Sequence, residues 1–410
     1  MSAPEAILEA RRRIAGTLQL TPLVPAPALS RELGADVRVK CESLQVTGSF
    51  KTRGALNKML QMPEAERRRG VITASAGNHA QALAWAAARV GAPALIVMPE
   101  ATPLLKVSET RRWGAEIVLH GQGFDDAVDH ARQLQRDRGL TFVHAFDDEQ
   151  VLTGQGTCGL EIVEQFPAVD TVVVPIGGGG LIGGIARAVK GERPAARVYG
   201  VQTEAAPAVH HSFRGDEAVH ASPTPTIAEG IAVKRPGGVT LPILRELVDD
   251  VVLVPESCIE DGIFKLLETQ KLLAEGAGAA AFAALLTRRL PDLAGRNVVV
   301  ILSGGNIDLN ILSRIVERSL VRQHRFTRLR FTISDRPGGL AAALAIVARC
   351  GGNVIGIHHN RFFTDASFWE TEVVLTLETR DAAMVEDLMR ALAEAGYENV
   401  TQPDAALAAT

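Results

Sequence analysis

Neighbouring cysteines are missing from this chain. Its four, Cys41, Cys158, Cys258 and Cys350, lie far apart. None forms a C-x-x-C unit, so neither a zinc site nor a disulfide framework is implied, which fits a reducing compartment. Charge of one sign is not in excess: 43 Lys and Arg against 47 Asp and Glu leave a formal net charge of −4. That balance gives no ground for nucleic acid or an anionic membrane as the main partner. Long apolar runs are also missing. The two most apolar stretches, "ALAWAAARVGAPALIVMP" and "LLAEGAGAAAFAALL", carry Arg89 and Glu275 and are interrupted by glycine or proline. A membrane helix needs about 20 predominantly apolar residues, so none is read. The opening "MSAPEAILEARRRIAG" reads as an amphipathic charged helix without the apolar centre of a signal peptide. The expectation is a cytoplasmic protein.

What the chain does have is material for a large core: 410 residues, 47% hydrophobic and 22% charged, enough for two or three domains. From about position 35 to 305, short β-branched runs alternate with Ala/Leu-rich helical stretches. The runs are "PALIVMP", "AEIVLH", "TVVVPI", "ARVYGVQ", "DDVVLVP" and "NVVVILSGG". This alternation predicts βαβ units and a mostly parallel sheet with helices on both faces. The strands are almost wholly apolar, as strands buried on both faces are. Ligands in such sheets bind at the carboxyl ends of strands. Near 318 the pattern changes to the basic "ERSLVRQHRFTRLR", read as a solvated linker or helix end. A β-α-β-β-α-β succession follows, the ferredoxin-like signature. Its strands are "TRLRFTISD", "NVIGIHHNRF", "ETEVVLTLET" and "YENVTQ", and its helices "PGGLAAALAIVARCGG" and "DAAMVEDLMRALAEAG". The fold class expected is therefore an α/β body plus a small C-terminal α+β domain.

The strongest local feature is "DTVVVPIGGGGLIGGIARAV", where a buried strand runs into Gly177, Gly178, Gly179 and Gly180 and then a helix. Successive glycines let backbone N–H groups converge on an anion, and the helix N-terminus adds partial positive charge. That is a phosphate cradle; a tight strand–helix turn needs fewer glycines. A rival reading uses the same residues. Gly178, Gly180 and Gly183 satisfy G-x-G-x-x-G, and Glu204 follows at the distance of a ribose-binding acid. An NAD-dependent oxidoreductase is the competitor from another class. A third alternative is a non-catalytic amino-acid sensor with a decayed enzyme body.

Two further motifs end strands. In "TASAGNHAQALAWAAARVG", Ser75 is expected as a helix N-cap and Gly91 as the stop. The N–H groups from Ala76 to His79 then suit a carboxylate, with the Asn78 amide beside them; an ordinary capped helix explains the motif equally well. In "NVVVILSGGNIDL" a strand ends at Ser303, ahead of two glycines and Asn306. Finally, "VTGSFKTRGA" holds Lys51 among Gly48, Ser49, Phe50 and Gly54. A lone lysine is normally a surface charge. One sharing a cleft with a phosphate cradle and a carboxylate pocket suits Schiff-base chemistry, because a partly buried amine loses its proton more readily.

Taken together, "GSFKTRGA", "SAGNHAQALA", "PIGGGGLIGGIA", "IAEGIAV", "EGAGAAA" and "SGGNID" resemble the pyridoxal-phosphate enzymes of the tryptophan-synthase-β-like fold, fold type II. Within them the chain is most similar to threonine ammonia-lyases, over roughly positions 5 to 320. The resemblance implies a two-lobed catalytic body over 1–320, with a smaller lobe at about 46–145 inserted in the larger one. It implies pyridoxal 5′-phosphate held by Lys51, with Phe50 on one side of its ring and the backbone near Gly230 on the other. Gly177, Gly178, Gly179, Gly180 and Leu181 would hold the phosphate, Asn78 the ring hydroxyl oxygen, and Ser303 would face the pyridine nitrogen. Ser75, Ala76, Gly77, Asn78 and His79 would receive the substrate carboxylate. A neutral serine at that nitrogen leaves the electron sink shallower than an aspartate would, favouring prompt β-elimination. The implied substrate is a small hydroxy-amino acid: threonine giving 2-oxobutanoate, or serine giving pyruvate.

Two departures bear on the choice within the family. Serine racemases resemble the chain but place a second serine, a base for the opposite face, where Ala76 stands. Those relatives also bind a divalent cation through acids after the strand matching "VYGVQTEAAPA". Gln202, Ala206 and Ala208 occupy those positions, so no metal is expected there. The tail, with "ISDRPGGLAAAL", resembles an ACT domain, expected over 327–410 after a linker at 321–326. The turn Asp335, Arg336, Pro337, Gly338, Gly339, Leu340 would form an effector site for isoleucine or valine, which His358, His359 and Asn360 could line. The alternative is a dimerisation module without ligand. A homodimer or homotetramer is expected.

Overall fold

The computed structural model describes residues 2–403, apart from Asp216, Asp292 and residues 362–366. Positions 362–366 and 404–410 of the expected C-terminal domain, including the end of its second strand, lie outside the described residues. The chain divides into two compact units, Met1–Ile307 and Asp308–Thr410.

Among its described residues the first unit contains ten strands. In chain order they are β1 (Leu23–Pro25), β2 (Asp36–Cys41), β3 (Val71–Ala74), β4 (Ala94–Met98) and β5 (Glu116–Leu119), then β6 (Thr141–Phe142), β7 (Thr171–Pro175), β8 (Arg197–Thr203), β9 (Asp250–Val254) and β10 (Asn297–Leu302). They form two sheets, ordered β1-β2-β10-β7-β8-β9 and β5-β4-β3-β6. Every pairing is parallel except β1 with β2. The six β-branched runs singled out above are β4, β5 and β7 to β10. β4 and β7 are buried along their whole length, as strands covered on both faces must be. Each fully buried valine of β7 contributes about 1.5–3 kcal/mol by leaving water. The opening helix is Ala3–Ile14, capped by Ser2 and Glu5, and it buries Ile7, Ala10 and Ile14 on one stripe.

Helix Lys51–Gln61 crosses helix Glu149–Gln165 where both carry glycine. A Cβ on Gly154 would lie 2.7 Å from the Gly54 Cα, so only glycines permit this approach. Beside the crossing lies a buried charge cluster. Arg53 Nε pairs with Glu42 at 2.7 Å and its Nη1 with Glu161 at 2.6 Å, while Lys40 Nζ reaches Glu161 at 2.6 Å. Two cations balance two carboxylates, so the cluster is neutral and each charge is paired, the condition for charges to sit in a core.

Among its described residues the second unit has four strands, β11 (Phe326–Ser334), β12 (Asn353–Asn360), β13 (Glu370–Glu378) and β14 (Glu398–Thr401), and helices Gly339–Arg349 and Ala382–Glu394. The chain order is the expected β-α-β-β-α-β, and the antiparallel sheet runs β12-β13-β11-β14. Inward residues of β11 (Leu329, Phe331, Ile333) and β13 (Val373, Leu375, Leu377) alternate with less buried ones and pack with both helices. One expectation is corrected. The division falls after Ile307, and helix Leu309–Arg322 groups with this second unit instead of closing the first. That helix also takes in the first residues of the expected 321–326 linker. No described helix is long and apolar enough to cross a membrane.

Candidate active site

β10 lies beside β7, parallel, with Val300 opposite Val173. Ser303 at the end of β10 and the glycine run after β7 therefore emerge side by side. β7 ends at Pro175, and after Ile176 and three glycines the helix Gly180–Glu192 begins at the fourth. Its cap, Gly179, has φ +99°, a conformation other residues adopt at a cost. The first N–H groups of that helix have no intrahelical partner and converge at the strand ends. Gly230 lies against this loop: a Cβ on Gly177 would stand 3.2 Å from the Gly230 carbonyl oxygen. Leu181 packs its side chain into the core, leaving only its main chain for a ligand.

The Lys51 segment is stitched to the end of β10. Phe50 N donates to the Ser303 carbonyl at 3.1 Å and Gly305 N to the Gly48 carbonyl at 2.9 Å, around a bridge between Ser49 and Gly304. Lys51 is the first residue of its helix and partly buried. Its Nζ donates to the Ala145 carbonyl at 2.9 Å and stands 5.2 Å from the centre of the Phe50 ring. Burial brings the amine down to about 8, against the opposing pull of Glu275. A lysine so placed supplies free base near neutral pH and can attack a carbonyl carbon.

The Asn78 loop closes the arrangement. Here the expected cap is corrected: helix Asn78–Arg89 is capped by Gly77, not Ser75. Ser75 Oγ instead accepts from Gly77 N at 3.3 Å, which turns the chain just before the helix. The stop is Val90, followed by Gly91 at φ +66°. Ala76 and Gly77 stand at the accessible end, with the unpaired N–H groups of the first turn behind them. His79 turns inward. Its Nε2 lies 3.0 Å from the Val143 carbonyl, so that nitrogen carries the proton, and burial drives its pKa down to about 3. It brings no cation to a carboxylate; only its main chain faces that end.

Asn78 exposes two residues that the sequence reading left without roles. Its Oδ1 accepts from Asn306 Nδ2 at 2.7 Å, and Asn306 also donates to the Thr47 carbonyl at 2.8 Å. Its Nδ2 donates to Glu275 Oε1 at 2.6 Å. Burial raises Glu275 to about 7, while Asn78, Lys106 and Lys51 pull it down and Glu229 adds to the rise. "EGAGAAA" contains Glu275, and "SGGNID" Asn306, yet neither motif says which side chain each meets. Glu204, the candidate ribose acid, follows β8 at the surface. Gly183 lies within the helix, where a Cβ would meet Leu152 at 3.2 Å. Gln202 Oε1 accepts from Val209 N at 3.1 Å and His210 N at 3.0 Å, capping helix Ala208–Arg214. In the second unit, the Asp335–Leu340 turn joins β11 to helix Gly339–Arg349; Asp335 pairs with Arg361 at 2.9 Å, and His358 and His359 are exposed on β12.

The family described as pyridoxal-phosphate dependent enzyme matches residues 14–304. Over 391 residues the chain is 47% identical to an L-threonine ammonia-lyase of Geobacter sulfurreducens, covering 95% of this chain and 97% of that one. Among solved structures, processed threonine deaminase isoform 2 of Solanum lycopersicum superposes with a TM-score of 0.72 at 36% identity, covering 77% of this chain and 86% of that one. Maize serine racemase superposes equally well, TM-score 0.72 at 34% identity, covering 77% and 98%. Likeness of fold alone therefore does not separate a lyase from a racemase.

Proposed function

The chain belongs to the pyridoxal-phosphate-dependent enzymes, and from that membership we propose that it is a threonine ammonia-lyase, converting L-threonine to 2-oxobutanoate and ammonia, with L-serine as a lesser substrate. Membership also sets aside the dinucleotide reading of Gly178, Gly180 and Gly183. The residues present fit the cofactor. A lysine brought toward free base and a four-glycine loop at a helix N-terminus adjoin the same Ala145–Phe146 turn, with a serine at the neighbouring strand end. When bound, the cofactor supplies the electron sink that makes the substrate α-proton acidic.

The chain's own residues do the rest. Gly177 to Gly180 and the main chain of Leu181 would hold the phosphate at the positive end of their helix. Phe50 and the Gly230 backbone would bound the ring, Asn78 would meet its hydroxyl oxygen and Ser303 its nitrogen. The N–H groups from Ala76 to His79 take the substrate carboxylate. Lys51 Nζ would hold the cofactor between turnovers and, once free, would take the substrate α-proton. That proton and the β-hydroxyl together would leave as one water, and hydrolysis of the released enamine by another water would give the 2-oxo acid and ammonia.

The observation that carries the lyase reading is Ala76. A racemase needs a proton donor on the face opposite Lys51, and a methyl group there has no proton to give. The test uses purified protein with added cofactor. 2-Oxobutanoate should form from L-threonine, with kcat/KM above that for L-serine and for 3-hydroxyaspartate. Lys51→Ala should lose about a thousandfold or more together with covalent cofactor capture. D-allo-threonine from L-threonine, or D-serine from L-serine, appearing faster than 2-oxo acid would overturn the proposal. We take the enzyme to be a cytoplasmic homodimer or homotetramer. The Asp335–Leu340 turn supports reading the C-terminal unit as an ACT-like sensor of isoleucine or valine.

A further inference from the structure

Four consecutive residues, His144 to Asp147, adjoin both Lys51 and the glycine loop, and none of them has a task in the proposed reaction. The Ala145 carbonyl holds the Lys51 amine at 2.9 Å. The Phe146 ring lies against Gly178 so closely that a Cβ there would overlap it, and the Phe146 backbone packs on Gly180. The Asp147 carboxylate accepts from Gly238 N at 3.0 Å and Val239 N at 2.8 Å, just before helix Thr240–Leu247. The first residue of that helix, Thr240, donates its hydroxyl to the Gly178 carbonyl at 2.5 Å. One short turn thus joins the reactive lysine to the glycine loop by two routes.

His144 folds this turn. Its Nδ1 accepts from Phe146 N at 3.2 Å and from Asp147 N at 2.8 Å. A ring nitrogen that accepts carries no proton, so the neutral ring has its hydrogen on Nε2. The ring also stands edge-on to Phe146, centroids 4.5 Å apart. Burial lowers the His144 pKa; Lys51 and Arg132 act the same way, while Asp147 and Asp148 oppose them.

We propose that His144 is a positioning residue, whose neutral Nδ1 folds the His144–Asp147 turn so that the Ala145 carbonyl aims the Lys51 amine while Phe146 and Asp147 brace the phosphate loop. The inference rests on the pyridoxal-phosphate reading of the site. It makes a specific demand on chemistry. An acceptor bonded to the N–H groups two and three residues on is what the side-chain oxygen of asparagine provides in an Asx-turn. Asparagine should therefore replace histidine here, although the two differ in ring, volume and titration.

The experiment compares full-length wild type, His144→Leu and His144→Asn, each stripped of cofactor and titrated with pyridoxal phosphate, reading the dissociation constant and the absorbance of the lysine-bound cofactor. The Leu variant leaves two N–H groups unpaired and should bind about ten- to a hundredfold more weakly, with the absorbance of the lysine-bound form reduced. The Asn variant should stay within about threefold of wild type, since the acceptor is kept. Should the Leu variant fail to fold, His144→Gln takes its place; the extra methylene misplaces the oxygen, so the same loss is expected. Leu or Gln binding like wild type, or Asn binding as poorly as Leu or Gln, overturns the inference alone. A wild type that captures no pyridoxal phosphate overturns the cofactor reading and this inference with it.

Discussion

Lys51 and Glu275 titrate against one another within one site. Burial lowers the lysine to about 8, and the Glu275 carboxylate pulls it back up by favouring the ammonium form. At neutral pH such an amine is about one tenth free base, against roughly one part in three thousand for an ordinary lysine. Cofactor capture by the apoprotein should therefore rise with pH through about 8 and then level. Glu275→Gln keeps an oxygen for Asn78 but removes the charge, so the midpoint of capture should fall below 8. An unchanged or higher midpoint, read from stopped-flow absorbance, would sink this coupling. Stability gives an independent check. Burial raises Glu275 from 4.5 to about 7, so across that window the folded state binds the extra proton and loses stability as pH rises. Glutamine does not titrate, so the urea midpoint of the variant relative to wild type should climb over the same window. The strand-end placement of the glycine loop and Ser303 was legible in sequence because each directly follows an apolar β-branched run. Glu275 was not: its bond to Asn78 spans 197 positions, and that of Lys51 to Ala145 spans 94, distances over which only the completed fold sets partners.

Between elements, the helix that starts at Lys51 owes its place to the glycine crossing and the buried charges next to it. In an isolated helix, Gly→Ala gains about 0.5–1 kcal/mol. At Gly54 the added methyl would lie 2.6 Å from the Val151 carbonyl and collide with the Gln155 amide. Overpacking of that kind costs about 1–3 kcal/mol, so the sign reverses. Gly54→Ala should lower the urea-derived stability by about 1–3 kcal/mol. It should weaken pyridoxal phosphate binding too, because Lys51 moves with its helix. A more stable variant that binds normally would show that the helices part without cost. At this scale the β-branched runs betrayed their strands, since burial on both faces demands such residues. The Ser75 cap was misplaced because a nearby hydroxyl looks the same in sequence whether it caps a helix or closes the turn before it. Arg53 reads as a surface charge until Glu42 and Glu161 are brought beside it.

For the whole molecule, the order of elements in the C-terminal unit was legible because alternation along β11 and β13 marks one covered face. The division of the chain was not, since the amphipathic pattern of Leu309–Arg322 does not say which unit it packs in. Whether that unit senses an amino acid turns on the Asp335–Leu340 turn. Gly338, at φ +90°, caps the 11-residue helix Gly339–Arg349, whose first N–H groups have no intrahelical partner and suit a carboxylate. Regulation requires that isoleucine or valine bind one state of the enzyme more tightly than another, and typical coupling changes affinity about 5–150-fold. Saturating effector should therefore weaken threonine binding within that range. Because binding free energies are reciprocal, threonine must weaken effector binding by the same factor, measured by calorimetry with a slowly reacting analogue. Gly338→Val, strained at positive φ, should loosen the effector and leave a smaller coupling. If neither amino acid binds the full-length enzyme, the unit is an assembly module and the control of this lyase lies outside it.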